Sequence, residues 1–153
     1  MTPLSPADHY HVGLIVPDLD AAVTAMTAAG GYTWTRPIEA TLRVTTTHGD
    51  VEMPFRFVYS IEAPHLELIQ EVPDTIWAAP KDGAAHHLGY WVDDLATAAQ
   101  GLENAGYRCE ARPAGPQLSS FAYYLSPTGL RVEIVDRALF PDWPGFLAAM
   151  TDD

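Results

Sequence analysis

The sequence predicts an α+β fold built from two tandem βαβββ modules, on three observations: an internal repeat, an amphipathic helix at the same place in each copy, and extended segments after each helix. Laying residues 11 to 22, "HVGLIVPDLDAA", over residues 87 to 98 pairs His11 with His87, Gly13 with Gly89, Val16 with Val92, Asp18 with Asp94, Leu19 with Leu95 and Ala22 with Ala98. A second match, "LELIQ" with "VEIVD", pairs Glu67 with Glu133. The offset falls from 76 residues at the histidines to 66 at the glutamates, so the first copy carries about ten extra residues, expected in "TLRVTTTHGDVEMP". The boundaries that follow are module 1 at 9–72, module 2 at 85–137 and a C-terminal extension at 138–153, within a single domain.

Each copy opens on a short apolar strand, Tyr10 to Val16 and His87 to Val92, that runs into an aspartate able to cap a helix. After Asp18 the apolar residues Leu19, Ala22, Val23 and Met26 recur at helical spacing, and Gly30-Gly31 supplies the stop. After Asp94 the same spacing appears in Leu95, Ala98, Ala99 and Leu102, with Gly106 as the stop. Extended segments follow: "YTWTR", "LRVTTT", "FRFVYS" and "HLELIQ" in the first copy, "YRCEA", "FAYYLS" and "LRVEIV" in the second. "APKDGAA" reads as a linker, and Asp142 with Pro144 marks one last short helix.

Composition narrows the function classes. Hydrophobic residues at 48% and charged residues at 18% describe a globular domain, and no apolar run is long enough to span a bilayer, so no membrane partner is expected. The opening "MTPLSPADHY" lacks the basic and apolar regions of a signal peptide, and a cytoplasmic location is expected. A net charge of -12 would repel nucleic acid and counts against a substrate held mainly through phosphates, unless arginines are locally placed. The single cysteine, Cys109, reads as a small, partly buried hydrophobe.

Side chains on a strand alternate faces. On the first strand Val12, Leu14 and Val16 form the face that packs on the helix, while His11, Gly13 and Ile15 form the other. In the second copy Leu88, Tyr90 and Val92 oppose His87, Gly89 and Trp91, so His86 points away from His87. Each glycine leaves space beside its histidine. Glu67 and Glu133 sit between apolar neighbours, and a carboxylate there costs several kcal/mol unless a cation or hydrogen-bond donors compensate it. Two imidazoles and two carboxylates at equivalent positions of a duplicated unit make a nitrogen and oxygen shell suited to one divalent ion: zinc, nickel, cobalt, manganese or iron. His9 and His65 share faces with His11 and Glu67 and are expected in surface or supporting roles; His48, in "THGD", is expected in solvent. Alternation leaves open whether Phe121 and Tyr123 or Ala122 and Tyr124 look toward the ligands.

The stretches "YHVGLIVPDLDAA", "AHHLGYWVDDLATA" and "YYLSPTGLRVEIVD" resemble the vicinal oxygen chelate superfamily over residues 9 to 137, nearest in signature to its glyoxalase I and methylmalonyl-CoA epimerase branches. The resemblance implies two modules forming a curved mixed sheet around a metal-binding cavity, helices on the outer face, and metal ligands His11, Glu67, His87 and Glu133. It also implies Glu133, Glu67 and Tyr123 as catalytic residues, a substrate pocket lined by Trp91, Phe121 and Ile15, a small-molecule substrate, and a homodimer as one way of closing the modules. The activity implied is that of an isomerase, epimerase or lyase that stabilises an enolate or enediolate. The alternatives are an extradiol-type Fe(II) dioxygenase using His11, His87 and Glu133, and a non-catalytic binding or resistance protein. The additional catalytic glutamate of the epimerase branch lies on a middle strand of the first module, where "LRVTTT" has no acid.

Overall fold

In the computed structural model, which describes residues 2–151, the duplicated order of elements follows from duplicated local signals. β1 (His9–Val16) and α1 (Leu19–Gly30) precede β2 (Ile38–Thr46), β3 (Gly49–Tyr59) and β4 (His65–Gln70); β5 (His87–Val92) and α2 (Leu95–Asn104) precede β6 (Arg108–Pro113), β7 (Phe121–Leu125) and β8 (Arg131–Asp136); α3 (Trp143–Ala149) follows. The arrangement is α+β with a mixed pattern of strand pairing. The caps of α1 and α2 are copies of one another. Asp18 and Asp94 hold nearly identical extended backbone angles, and each carboxylate accepts a 3.0 Å hydrogen bond from the amide three residues on, Ala21 or Thr97. Asp142 does the same for α3 through the Gly145 amide, with Pro144 in the first turn.

The extra residues of the first copy lengthen one hairpin. β2 and β3 have nine and eleven residues, against six and five in β6 and β7, and they are joined by the two-residue turn Thr47–His48. One expectation needs correction. "YTWTR" is not a strand: Trp34 and Thr35 make only isolated bridges, to Ser60 and Thr151, and the strand begins at Ile38, after Pro37, which has no amide hydrogen to give a ladder. β2 therefore starts earlier than "LRVTTT" and does carry an acid, Glu39, but its side chain is 69% exposed and paired with Arg56.

The chain divides into two compact units. One contains the segment up to Tyr10, Leu42–Met53 and His87–Pro141. Its strands run in the order β2, β6, β7, β8, β5, with β5 and β8 parallel and the β2/β6, β6/β7 and β7/β8 pairs antiparallel. α2 buries Leu95, Ala98, Ala99 and Leu102 against Val92, Ala122, Tyr124, Val132 and Ile134, which all lie on one face of these strands. The other unit contains His11–Thr41, Pro54–His86 and the segment from Asp142 on. Its strand order is β1, β4, β3, with β1 and β4 parallel. α1 packs more lightly: Leu19 is its one fully buried residue, with Ala22 and Val23 half-buried against Leu14, Val16, Val58 and Leu68. In both units the helix thus covers the strand face opposite the histidine, as alternation predicts.

Candidate metal centre

In the first module, β1 supplies His11 and its parallel neighbour β4 supplies Glu67. Register places Gly13 directly beside Glu67, so the glycine makes room for the carboxylate and the histidine reaches it from two residues back. His11 Nε2 lies 3.4 Å from Glu67 Oε1, and the residues are only 1% and 5% exposed. The second module repeats this. Gly89 is the register partner of Glu133, His87 Nε2 lies 3.3 Å from Glu133 Oε1, and exposures are 2% and 7%.

These distances match the donor set. Two donors about 2.1 Å from a shared ion stand about 3.0 Å apart at a right angle and about 3.4 Å apart at a tetrahedral one. Each pair therefore already has the spacing of two ligands on one divalent ion. Among the described residues, His11, Glu67, His87 and Glu133 are the set whose types and burial could hold a metal ion.

An aromatic ring backs each histidine. Tyr123 sits opposite Glu133 in the β7/β8 ladder, and its ring meets His87 edge-on at 5.0 Å. Phe121 lies edge-on to Tyr123 at 5.8 Å. The neighbours Ala122 and Tyr124 turn instead into the α2 cluster, where the Tyr124 hydroxyl donates to Glu103 at 3.2 Å and burial pushes its pKa well above the ordinary tyrosine range. The structure thus decides between the two pairs that alternation left open. The first module has the same arrangement, unmarked in the repeat: Tyr59 is opposite Glu67, meets His11 edge-on at 5.6 Å, and has Phe57 edge-on at 5.7 Å. Matching "FRFVYS" to "FAYYLS" end to end hides this by setting Tyr59 against Leu125, and counting back from the glutamates does not restore it, because Tyr59 stands eight residues before Glu67 and Tyr123 ten before Glu133.

The remaining histidines have other work. His65 accepts a hydrogen bond at Nε2 from the Trp143 indole at 3.3 Å and donates from Nδ1 to the Ser60 carbonyl at 2.9 Å, so both ring nitrogens are engaged away from a ligand role. His86 is buried and its Nε2 lies 2.7 Å from the Ile76 carbonyl. His9 is exposed beside Tyr90, and His48 is exposed in the hairpin turn. Ile15 is buried on the His11 face. Trp91 is buried with its ring stacked at 3.6 Å on Tyr10 and tilted toward Phe140. Cys109 is half-buried, and burial raises its thiol pKa, which keeps it a poor nucleophile.

Solved structures with this fold include methylmalonyl-CoA epimerases. A Streptomyces coelicolor variant in complex with 2-nitronate-propionyl-CoA aligns with a TM-score of 0.59 at 18% identity over 84% of this chain and 96% of its own. The Mycobacterium tuberculosis epimerase aligns with a TM-score of 0.56 at 18% identity over 89% and 90%. A hypothetical protein from Bacillus halodurans C-125 reaches 0.61 at 12% identity over 84% and 92%. At such identities the likeness is one of fold. No curated protein matches the chain. Residues 10–124 match the family model for the Glyoxalase/Bleomycin resistance protein/Dioxygenase superfamily, and the chain belongs to that family, the vicinal oxygen chelate superfamily.

Proposed function

We propose that this protein is a metal-dependent isomerase, epimerase or lyase that moves a proton next to a carbonyl in a small oxygenated substrate. The observation that carries the reading is the buried His–Glu pair made twice, at equivalent register and with ligand-like spacing. Buried carboxylates beside buried imidazoles in two copies of one unit are expensive to keep for stability alone. His11, Glu67, His87 and Glu133 are read as the ligands of one divalent ion. When bound, that ion supplies a Lewis acid that lowers the energy of charge developing on a carbonyl oxygen.

The side chains do the rest. The imidazoles supply nitrogen donors. Glu133 or Glu67 takes a proton from the carbon beside the carbonyl and returns it to the other face or to the next carbon. Tyr123, standing against His87, contacts the reacting group. Phe121, Trp91 and Ile15 supply apolar walls that exclude water. A second reading, an extradiol-type dioxygenase, is favoured by Tyr123 rather than Tyr124 standing at His87. The buried Glu67 weighs against it, because a fourth ligand crowds the face that catechol and oxygen would need.

Elemental analysis of protein purified without chelator comes first, and about one metal per chain is expected. No metal, with tight binding of a basic drug, would instead establish a sequestering protein. The metal-loaded protein in deuterium oxide should then place solvent deuterium beside the carbonyl of its substrates. Absence of exchange across a broad panel overturns the proton-transfer reading, and a yellow ring-fission product from catechol under Fe(II) and oxygen would put the dioxygenase in its place.

A further inference from the structure

The sheet face that carries His87, Tyr123 and Glu133 also carries an ion pair that the proton chemistry does not use. In the β7/β8 ladder Tyr123 is opposite Glu133 and Leu125 is opposite Arg131, so Arg131 shares the face of Glu133, about 6.6 Å along the strand. Its partner comes from β6, on the far side of β7. Cys109 pairs with Tyr124 on the α2 side and Ala111 pairs with Tyr123 on the other, which leaves Glu110 as the extra residue of a β-bulge. Following Cys109, Glu110 faces away from α2 and meets Arg131 across β7: Nε lies 3.1 Å and Nη2 3.0 Å from Oε2.

Glu110 is 8% exposed, and the Arg131 side chain, at 23%, is more enclosed than those of Arg56, Arg137 and Arg43, which stand at 32%, 40% and 61%. A buried ion pair is on average no more stabilising than apolar residues of its size, and a bulge interrupts a ladder. Both are concentrated beside the candidate centre.

Resting on the metal-dependent carbonyl chemistry proposed above, we infer that Arg131 anchors a carboxylate of the substrate, with Glu110 as the residue that sets the plane and orientation of its guanidinium. The substrate class is then a short oxo acid of about five carbons with its carboxylate and its carbonyl toward opposite ends, the span that one strand repeat allows between the anchored group and a carbonyl beside Glu133. A planar guanidinium takes the two oxygens of a carboxylate side by side. A singly charged carboxylate also meets less repulsion than a phosphate dianion in a chain of net charge -12.

Calorimetric titration of the Mn2+-loaded protein with 4-oxopentanoate and with its methyl ester tests this. The acid is expected to bind at least about tenfold tighter than the ester, the preference one charge-assisted pair supplies. Arg131→Lys should cut that preference to a few-fold. The double variant Glu110→Gln with Arg131→Gln, which removes both buried charges together and so spares the fold an unpaired one, should abolish it, with Mn2+ affinity within about threefold of the parent in both. Glu110→Gln alone should lower the acid-over-ester preference several-fold while ester binding stays within about threefold of the parent, which loss of a purely structural glutamate would not do. Equal binding of acid and ester, a preference that survives the double variant, or stronger binding of dihydroxyacetone phosphate than of the oxo acid overturns the inference while leaving the metal reading intact. Failure of the parent protein to take up Mn2+ strikes the metal reading instead. The acid-over-ester preference of the metal-free protein then decides the anchor by itself, its presence supporting Arg131 and its absence removing it.

Discussion

The two modules hold the same His–Glu pair and surround it differently. In the first, Tyr59 behind His11 is met edge-on by Trp143 of α3 at 5.0 Å, Phe146 stacks on that indole, and the indole also occupies His65. In the second, Tyr123 behind His87 has Phe121 beside it, and the same strand face continues into Glu110 and Arg131. Both pairs are thus backed by aromatic rings, and the second has in addition an ion pair along the same strand face. A His–Glu pair needs only two residues at a fixed register, and both modules have it. The flanking residues differ between the two modules.

The comparison can be broken at the ligands. His11→Ala and His87→Ala should each lower divalent-metal affinity by about a hundredfold or more, since even supporting residues cost 10- to 100-fold, and the two losses should agree within about tenfold if both serve one ion. Titration of each variant with Zn2+ checks this, and a large loss in one beside none in the other would end the equivalence. The helices sharpen it next. Leu102→Ala, at 1% exposure in the dense α2 cluster, should cost about 3 kcal/mol, whereas Met26→Ala on the half-buried face of α1 should cost about 1 kcal/mol, read from urea unfolding midpoints. The smallest effect is at the twin caps. Asp18→Ala and Asp94→Ala should each cost about 1 kcal/mol and differ by less than about 0.5 kcal/mol, because the backbone angles and the accepted hydrogen bonds are the same.

How far these features could be read in advance depended on their range. The repeat, both caps, the helix stripes, the faces of β1 and β5 and the four residues of the His–Glu pairs were legible, because each rests on spacing within a dozen residues or on the likeness of two short strings. The strand assigned to "YTWTR" was not, because Pro37 and the bridge from Thr35 to Thr151 decide where β2 begins. Tyr59 was passed over because its place is defined across a hairpin, opposite Glu67, and not along the chain. Glu110 was invisible as a partner of Arg131, since the two stand on strands separated by β7 and meet only across it.

By itself, the sequence determined which donors exist and which strand face each would occupy: His11 and His87 on the faces away from their helices, Glu67 and Glu133 within apolar strands. Period-two alternation and helical spacing are local properties of a chain, and they survive in any context that keeps the strands. Tertiary structure alone decided that Gly13 would lie beside Glu67 and Gly89 beside Glu133, that Tyr123 and not Tyr124 would back His87, and that a bulged Glu110 would hold Arg131 on the same face. Those outcomes are matters of register between segments far apart in sequence, and register is settled only when the strands pair and one face of each is buried.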